Sequence, residues 1–472
     1  MGKVMRILLV QPEYLTAGIG FRLAALPEPL HLEMVAALVP EHTLRILDLR
    51  LEDNLQGTLA EFRPDIVAVT ALTPEVYAAQ AVVRHVKAFS PEIFTVVGGH
   101  HASLQPDDFL IPEVDAVAIG EAEMVFPGLI RNVLAKTAPT DVPNLIWQDR
   151  NGQFIRNHTA DAAANMDTFP FPRRDLTAAY RDRYSFIFHR PDTSVTTARG
   201  CPYRCNFCSV WKFHNGRTRM MSPRRVLAEL TTIRTRHVTF VDDNFLLDHR
   251  REDSLADLIK AEGLGMQFSM ECRTDSIARH PHLVRKWVDI GLVGVLLGLE
   301  GASDQMLNRV NKQNTAKIND RAIEILQELD VMIWGAFIVD PDWTEDDFKR
   351  LRDYVSQKKI AFTQFTILTP LPGTDLYRDR FHDLLTHDYS CFDTMHSVLP
   401  TRLPREVFYQ QFANLYRQTD LSPYYDLVKA GRMTIEDCRY GKTLLDAASK
   451  WEGYLENDPI LGRRDNAVAQ KL

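Results

Sequence analysis

The segment TTARGCPYRCNFCSVW, residues 196–211, sets Cys201, Cys205 and Cys208 within eight positions in C-x3-C-x2-C spacing. Thiolates are soft ligands suited to zinc or to iron–sulfur clusters. A cubane held by three cysteines, unlike the four-cysteine clusters of electron carriers, leaves one iron without a protein ligand and therefore open to a bound molecule. The alternative is structural zinc completed by His214 or Cys272, although structural zinc sites usually show paired C-x2-C units. The other cysteines, Cys272, Cys391 and Cys438, have no cluster spacing, and six thiols in 472 residues do not resemble a secreted disulfide framework.

The triad must be presented by something rigid. It follows directly on SVTTA, the first of six apolar runs between 193 and about 370, the others being HVTFVDD, QFSMECR, GVLLGLE, WGAFIVD and TQFTILT. Helix-length segments separate them, and one opens with Ser222 as a cap and Pro223 in the first turn. Six β/α units make an open or partial barrel, whose chemistry belongs at the carboxyl ends of the strands. Upstream, RILLV, TLRILDL, DIVAVTAL, FTVVGG and DAVAIG alternate with helical patterns over 5–135 and read as βαβ units on a parallel sheet. In AAQAVVRHVKAF the apolar face is Ala79, Val82, Val83 and Val86. Between them lies a Pro-, Asp- and Asn-rich stretch with Asn151-Gly152 placed for a hairpin turn. The last ninety residues read as helical, with Phe408, Phe412, Leu415 and Tyr416 on one face.

Composition bounds the partners. A formal charge of -7 argues against a protein that neutralises phosphate backbones, so no nucleic acid is expected. The longest apolar run, LVGVLLGL at 292–299, is far short of the roughly 20 residues that span a bilayer. The start MGKVMRILLVQP is too short in its apolar core for a signal peptide, and a cytoplasmic location is the default expectation.

The C-x3-C-x-aromatic-C pattern, with Phe207 as the aromatic, resembles the signature of the radical S-adenosylmethionine (SAM) superfamily. The resemblance implies a [4Fe-4S] cluster on the three cysteines whose open iron chelates SAM, which one electron cleaves to methionine and a 5'-deoxyadenosyl radical. FVDDNF (240–245) and MECRTD (270–275) bring Asp242, Asp243, Asn244, Glu271 and Arg273 to the same mouth. Among them the resemblance implies SAM ligands: Asp243 for the ammonium, in place of a Gly-Gly-Glu segment that this chain lacks, and the Arg273 fork for the carboxylate. LLGLEGASDQML resembles the fourth-strand segment in which Glu300 accepts from the ribose, and TPLPGT, with Pro372, resembles the sixth-strand motif near the adenine.

In the first sheet the turn-rich strand ends are VTALTPE with Thr70 and Thr73, VVGGHHAS with Gly98, Gly99 and His100, and AIGEAEMVF with Gly120 and Glu121. Parallel sheets bind ligands there, and glycine allows close backbone approach. No G-x-G-x-x-G follows the first strand, so no nicotinamide site is supported. With the radical SAM resemblance, the GGxH and GE-x-E segments resemble the cobalamin-binding domain fused upstream of many such enzymes. A D-x-H-x-x-G segment is missing, which implies a cobalt without that lower histidine; His100 or His101 in its place competes with the commoner use of such a histidine for packing.

The expected fold is therefore α/β: a Rossmann-like cobalamin-binding domain (1–140), a linker with a hairpin (141–190), a partial (β/α)6 radical SAM barrel (191–380) and a helical C-terminal region (381–472). The resemblance implies hydrogen abstraction from an unactivated carbon and methyl transfer from methylcobalamin, with a flavodoxin or ferredoxin as electron donor. IVDPDW and EPLHLEMVAA are most similar to the hopanoid C-3 methylase and bacteriochlorophyll-cyclase-like branch, which suggests an isoprenoid or polycyclic small molecule. Met270, Trp334, Phe337 and Trp343 are candidates to line an apolar pocket, against their commoner use as core. A cyclase, oxidase or rearranging enzyme that does not methylate remains open, as does a cobalamin- or zinc-binding protein without turnover.

Overall fold

The computed structural model of the protein describes residues 4–13, 25–360, 362–419, 422–429, 433–456 and 458. The five apolar runs of the first third form parallel strands β1 (Arg6–Gln11), β2 (Thr43–Asp48), β3 (Ile66–Thr70), β4 (Phe94–Gly98) and β5 (Ala116–Ala118). Ile7, Leu8, Leu9 and Val10 are all buried, as in a strand covered on both faces. Their order across the sheet is β2-β1-β3-β4-β5, so the direction of winding reverses between β1 and β3, where sheets of this kind open a ligand crevice. Helix Val76–Phe89 lays Ala79, Val82, Val83 and Val86 on the sheet, the face that the spacing predicts.

The hairpin at Asn151-Gly152 forms, as β6 (Leu145–Gln148) and β7 (Phe154–Arg156). The Asp149 carboxylate shapes its turn by accepting from the Asn151 and Gln153 amides at 2.8 and 2.9 Å. It does not sit in a linker. It adds antiparallel to β5, covering the backbone groups that an edge strand would leave unpaired.

The second sheet comprises β8 (Asp192–Val195), β9 (His237–Phe240), β10 (Gln267–Arg273), β11 (Leu292–Glu300), β12 (Met332–Val339) and β13 (Phe362–Ile367), all parallel and in chain order. β8 and β13 are the two edges, so the barrel is open. Its outer face buries Phe240, Phe268, Met270, Leu297 and Phe337 against helix residues such as Trp287 and Ile323. Ser222 caps helix Pro223–Leu230 by accepting from the Arg225 amide, as the sequence predicts.

Phe408, Phe412, Leu415 and Tyr416 are buried on helix Arg405–Arg417, followed by helices Ser422–Lys429 and Ile435–Ala448. The helices begin later than expected. Between 384 and 404 only the turn Tyr389–Cys391 is helical, and this stretch returns to the first sheet, where the Tyr389 ring meets His101 at 4.9 Å and its amide donates to the Tyr77 hydroxyl at 3.3 Å. Among the described residues no helix is long and apolar enough to cross a membrane.

A buried ionic junction joins the two sheets on one side. Glu28 and Glu33, at the start of helix Leu30–Ala37, face Arg174 and Arg181 of the segment 174–183. Glu28 also accepts from the β8 amide of Ser194 at 2.8 Å. Burial, then the neighbouring Glu28, pushes the Glu33 carboxyl up to about 7.

Candidate functional site

The cysteine loop leaves β8 at Thr196 and is pinned to the barrel at once. Asp242, at the end of β9, accepts from the amides of Thr197 (2.5 Å) and Ala198 (3.0 Å) and from the Thr197 hydroxyl. Ala198–Arg199 then pairs antiparallel with Arg219–Met220, so residues 200–218 form an excursion on a two-stranded neck. Gly200 opens it at φ +91°, and a Cβ there would run into the Arg217 carbonyl oxygen. Its amide donates to Asp243 at 2.9 Å. Beyond it, Asn206 donates through its side chain to the Arg309 carbonyl at 3.0 Å, and Trp211 through its indole to the Cys205 carbonyl at 3.0 Å.

Cys201, Cys205 and Cys208 are free thiols in this loop, Cys205 the most buried. Burial raises all three, Cys208 to about 12. A coordinated metal reverses that balance by stabilising the thiolate outright. Arg273 and Lys312 already favour a thiolate at Cys205, and Arg273 Nη1 lies 3.9 Å from its sulfur. The donor set fits a three-thiolate cluster. Both residues considered as completing a zinc site are engaged elsewhere: His214 faces Glu121 at 3.4 Å, and Cys272 lies in the apolar core on the outer face of β10. Among the described residues no group of three or more Cys, His, Asp or Glu side chains is arranged to hold a single metal ion.

Several expected SAM contacts stand at this mouth, with altered prospects. Arg273 is not a free fork. Its guanidinium donates to Asp275 (3.0 Å) and to the Lys312 carbonyl (2.7 Å) while stacked 3.5 Å over the Tyr203 ring, so it braces the cysteine loop. Asn244 is likewise spent, accepting from the Arg273 amide at 3.1 Å and donating to Ser276. Phe207 packs with Val310, Ile338, Leu368 and Leu376. Asp243 is exposed and accepts from the Gly200 amide at 2.9 Å. Glu300, at φ +59°, pairs with Lys312 at 2.7 Å. A Cβ on Gly298 would lie 2.8 Å from that ammonium and 2.9 Å from that carboxylate. Pro372 is buried in a turn whose Gly373 (φ +84°) sits directly against Leu104 of the first sheet's side.

Glu271, on the inner face of β10, has neither a hydrogen bond nor an ion pair with any described residue; burial, then Asp243 and Asp242, pushes it up to about 7. Register places it level with Leu296, Trp334 and Phe362 around the lumen. Of the four candidate pocket residues only Trp334 faces this way, lining an apolar cavity of about 70 Å³ with Ile187, Phe362, Tyr424 and Leu445. Met270, Phe337 and Trp343 belong to the core outside the barrel.

On the first sheet, Gly99 takes φ +98°, and a Cβ there would stand 2.6 Å from the Thr70 hydroxyl and 2.9 Å from the Ala71 nitrogen. Gly120, at φ +73°, has nothing within 4 Å of its Cβ position, so backbone here borders open space as a ligand cradle requires. Thr73 bonds His101 at 3.0 Å, and His101 reaches Asp108 at 2.9 Å. His100 meets the Ser209 hydroxyl at 2.7 Å and stacks on Phe213; burial, then His214 and His101, lowers it to about 4, so it is neutral. Both histidines are thus engaged by protein. Through His100–Ser209 and Leu104–Gly373 the carboxyl ends of the two sheets face each other.

Glu121 departs from expectation. It is not open to a ligand but accepts from Arg199 at 2.8 Å and from Arg219, the two neck residues of the cysteine loop. Burial alone would raise its pKa, yet His214, Arg219 and Arg199 hold it at about 2. Glu123 joins it, accepting from Arg199 at 2.7 Å. The GE-x-E segment includes Glu123, but the sequence reading missed its pairing and missed Arg199 and Arg219; the only signal is a pair of acids at one strand end and a pair of arginines flanking the cysteines.

Comparison with known proteins agrees with this division. The pattern of the radical SAM superfamily matches residues 195–355, and that of the B12 binding domain residues 18–130. The chain is 31% identical to the hopanoid C-3 methylase of Methylococcus capsulatus, over 81% of this chain and 74% of that protein. It is 27% identical to the anaerobic magnesium-protoporphyrin IX monomethyl ester cyclase of Rubrivivax gelatinosus, over 78% and 68%. Its fold matches the cobalamin-dependent SAM radical enzyme OxsB with aqua-cobalamin and SAM bound, at a TM-score of 0.72 and 14% identity, over 96% of this chain and 72% of that one.

Proposed function

The chain belongs to the radical SAM superfamily, in the branch that carries a B12-binding domain, and from that premise we propose that it methylates an unactivated carbon of a small, largely apolar molecule. It is an enzyme that uses a [4Fe-4S] cluster, SAM and cobalamin. Bound there, the cluster and SAM would supply a 5'-deoxyadenosyl radical, and the cobalamin a transferable methyl group.

The observation that carries the reading is the contact between the two strand-end faces, with Ser209, next to Cys208, bonded to His100, next to Gly99. Cys201, Cys205 and Cys208 would each hold one iron. Asp243 and Glu271 would take the ammonium of SAM and Glu300, beside Lys312, its ribose, while Phe207 and the Pro372 turn would border the adenine. Thr70, Gly98, Gly99, Gly120 and Thr73 would seat the corrin and its tail. Trp334, Leu296 and Phe362 give the lumen one greasy wall, and Ile187 and Tyr424 close it against water, which radical chemistry needs excluded.

A polycyclic or isoprenoid substrate, a flavodoxin or ferredoxin as donor and a cytoplasmic location complete the proposal. As working domains we keep 1–140, 141–190, 191–380 and 381–472, the hairpin in the second of these extending the sheet of the first. The test is anaerobic turnover with SAM carrying a deuterated methyl group, using extracts of isoprenoids and tetrapyrroles as substrate. A product in which one C–H has become C–CD3 supports methylation; deoxyadenosine with an unmethylated, cyclised or oxidised product selects the non-methylating alternative, and no deoxyadenosine at all rejects both.

A further inference from the structure

We propose that Arg199 is a positioning residue which, held by Glu121 and Glu123, sets the cluster-bearing loop in register with the cobalamin-binding face. Only Gly200 separates Arg199 from Cys201, and it is locked by its left-handed backbone and its contact with the Arg217 carbonyl. Displacement of the Arg199 guanidinium is therefore passed to the first iron ligand with little slack.

The grip on that guanidinium comes from the other domain. Nη1 donates to Glu121 at 2.8 Å and to Glu123 at 3.2 Å, and Nη2 to Glu123 at 2.7 Å. Arg219, its partner across the neck, donates to the same Glu121 and to the Ala163 carbonyl at 2.8 Å. Both ends of the 200–218 excursion thus hang on two carboxylates at the tip of β5. The side chains of Arg199, Glu121 and Glu123 are 16%, 5% and 9% exposed, so an unpaired charge here is costly.

The barrel holds the loop independently. Asp242 ties Thr197 and Ala198, and Arg251 ties the Met221 and Thr197 carbonyls at 2.7 and 3.1 Å. Two sets of bonds therefore do separate things: barrel residues shape the cluster site, and the glutamates fix where it stands relative to the first sheet. Removing the glutamates should leave each cofactor bound and blur the distance between them.

This inference rests on the proposed use of both cofactors, and the test separates the two. In wild type, Glu121→Gln/Glu123→Gln and Arg199→Lys, reconstituted with iron, sulfide and cob(II)alamin, pulsed EPR reads the distance distribution between the reduced cluster and cobalt. Expected are full iron and cobalamin contents throughout, one narrow distribution in wild type, a broad one in the double variant and an intermediate width for Arg199→Lys, which keeps the charge but loses the fork. Asp161→Asn, which removes the exposed Asp161–Arg217 pair, should leave the width unchanged. Without any cofactor, amide exchange over 198–220 should quicken about tenfold in the double variant, equivalent to ~1.4 kcal/mol. Wild-type distance and exchange rates in the double variant overturn the proposal, as does equal broadening in Asp161→Asn. Should the double variant not fold, Glu123→Gln alone, which leaves Glu121 to Arg219, is read the same way. Failure of wild type to take up iron or cobalamin instead rejects the functional reading, while the cofactor-free exchange still tests the latch.

Discussion

The His100 ring and the Ser209 hydroxyl meet at 2.7 Å across the boundary between the two sheets. One residue follows the Gly98-Gly99 turn, the other the last cysteine of the triad, so this bond ties the two strand-end faces together directly. Because burial keeps His100 neutral, this bond carries no net charge and survives ordinary changes of pH. The ionic contacts nearby, Glu121 and Glu123 to Arg199, do the orienting.

Alanine at Cys201, Cys205 or Cys208 is expected to abolish iron retention and deoxyadenosine formation. Alanine at Cys272, which packs in the core, should keep both and cost about 1–2 kcal/mol of stability, as loss of a small buried group does. Iron analysis and a denaturant titration of the four variants decide this.

Gly99→Ala places a Cβ against Thr70 and Ala71 in a left-handed backbone and should destabilise the first domain by more than ~1 kcal/mol, with loss of cobalamin binding. Gly120→Ala meets no protein atom, so it should keep most of the stability and lose affinity for cobalamin alone. Absorbance titration with cobalamin beside thermal melts separates the two outcomes.

The residue types that do chemistry were legible in the sequence because a thiol, a strand-end carboxylate or a turn glycine announces itself by type and spacing. Partnership was not. Glu121 and Arg273 have the side chains of ligands, but each is consumed by partners such as Arg219 and Lys312, which lie 98 and 39 positions away and leave no mark on periodicity. Strand parity, in contrast, was readable: Trp334 and Phe337 are three apart on β12, so only one of them can face the lumen. The hairpin was visible as a turn, while its attachment to β5 depended on which edge lay bare.

Glu271 should give the cofactor-free protein a distinct pH dependence. Its folded pKa, about 7, exceeds the unfolded value, so the folded state binds the extra proton: the contribution is whole below the unfolded pKa and is lost as pH rises toward 7. Relative to Glu271→Gln, wild type should therefore lose stability between about pH 4.5 and 7, by at most about 1.4 kcal/mol per pH unit. A pH-independent difference between the two in urea melts would contradict a lone protonatable carboxylate in the lumen.

Gly298→Ala drives a methyl group between Lys312 and Glu300. Overpacking of this kind costs roughly 1–3 kcal/mol, and it should fall on SAM binding, with cobalamin affinity unchanged. Equilibrium dialysis with both ligands checks the split.

The junction of Glu28 and Glu33 with Arg174 and Arg181 bears on how such a protein could be reassembled by recombination. The anions arise in the first forty residues and their counter-ions well over a hundred positions later. A crossover between the two would strand desolvated carboxylates at a penalty of several kcal/mol per ion. The front half can be traded between lineages only if the connecting segment travels with it, so a chimera cut near residue 140 should fold poorly where one cut past 183 succeeds.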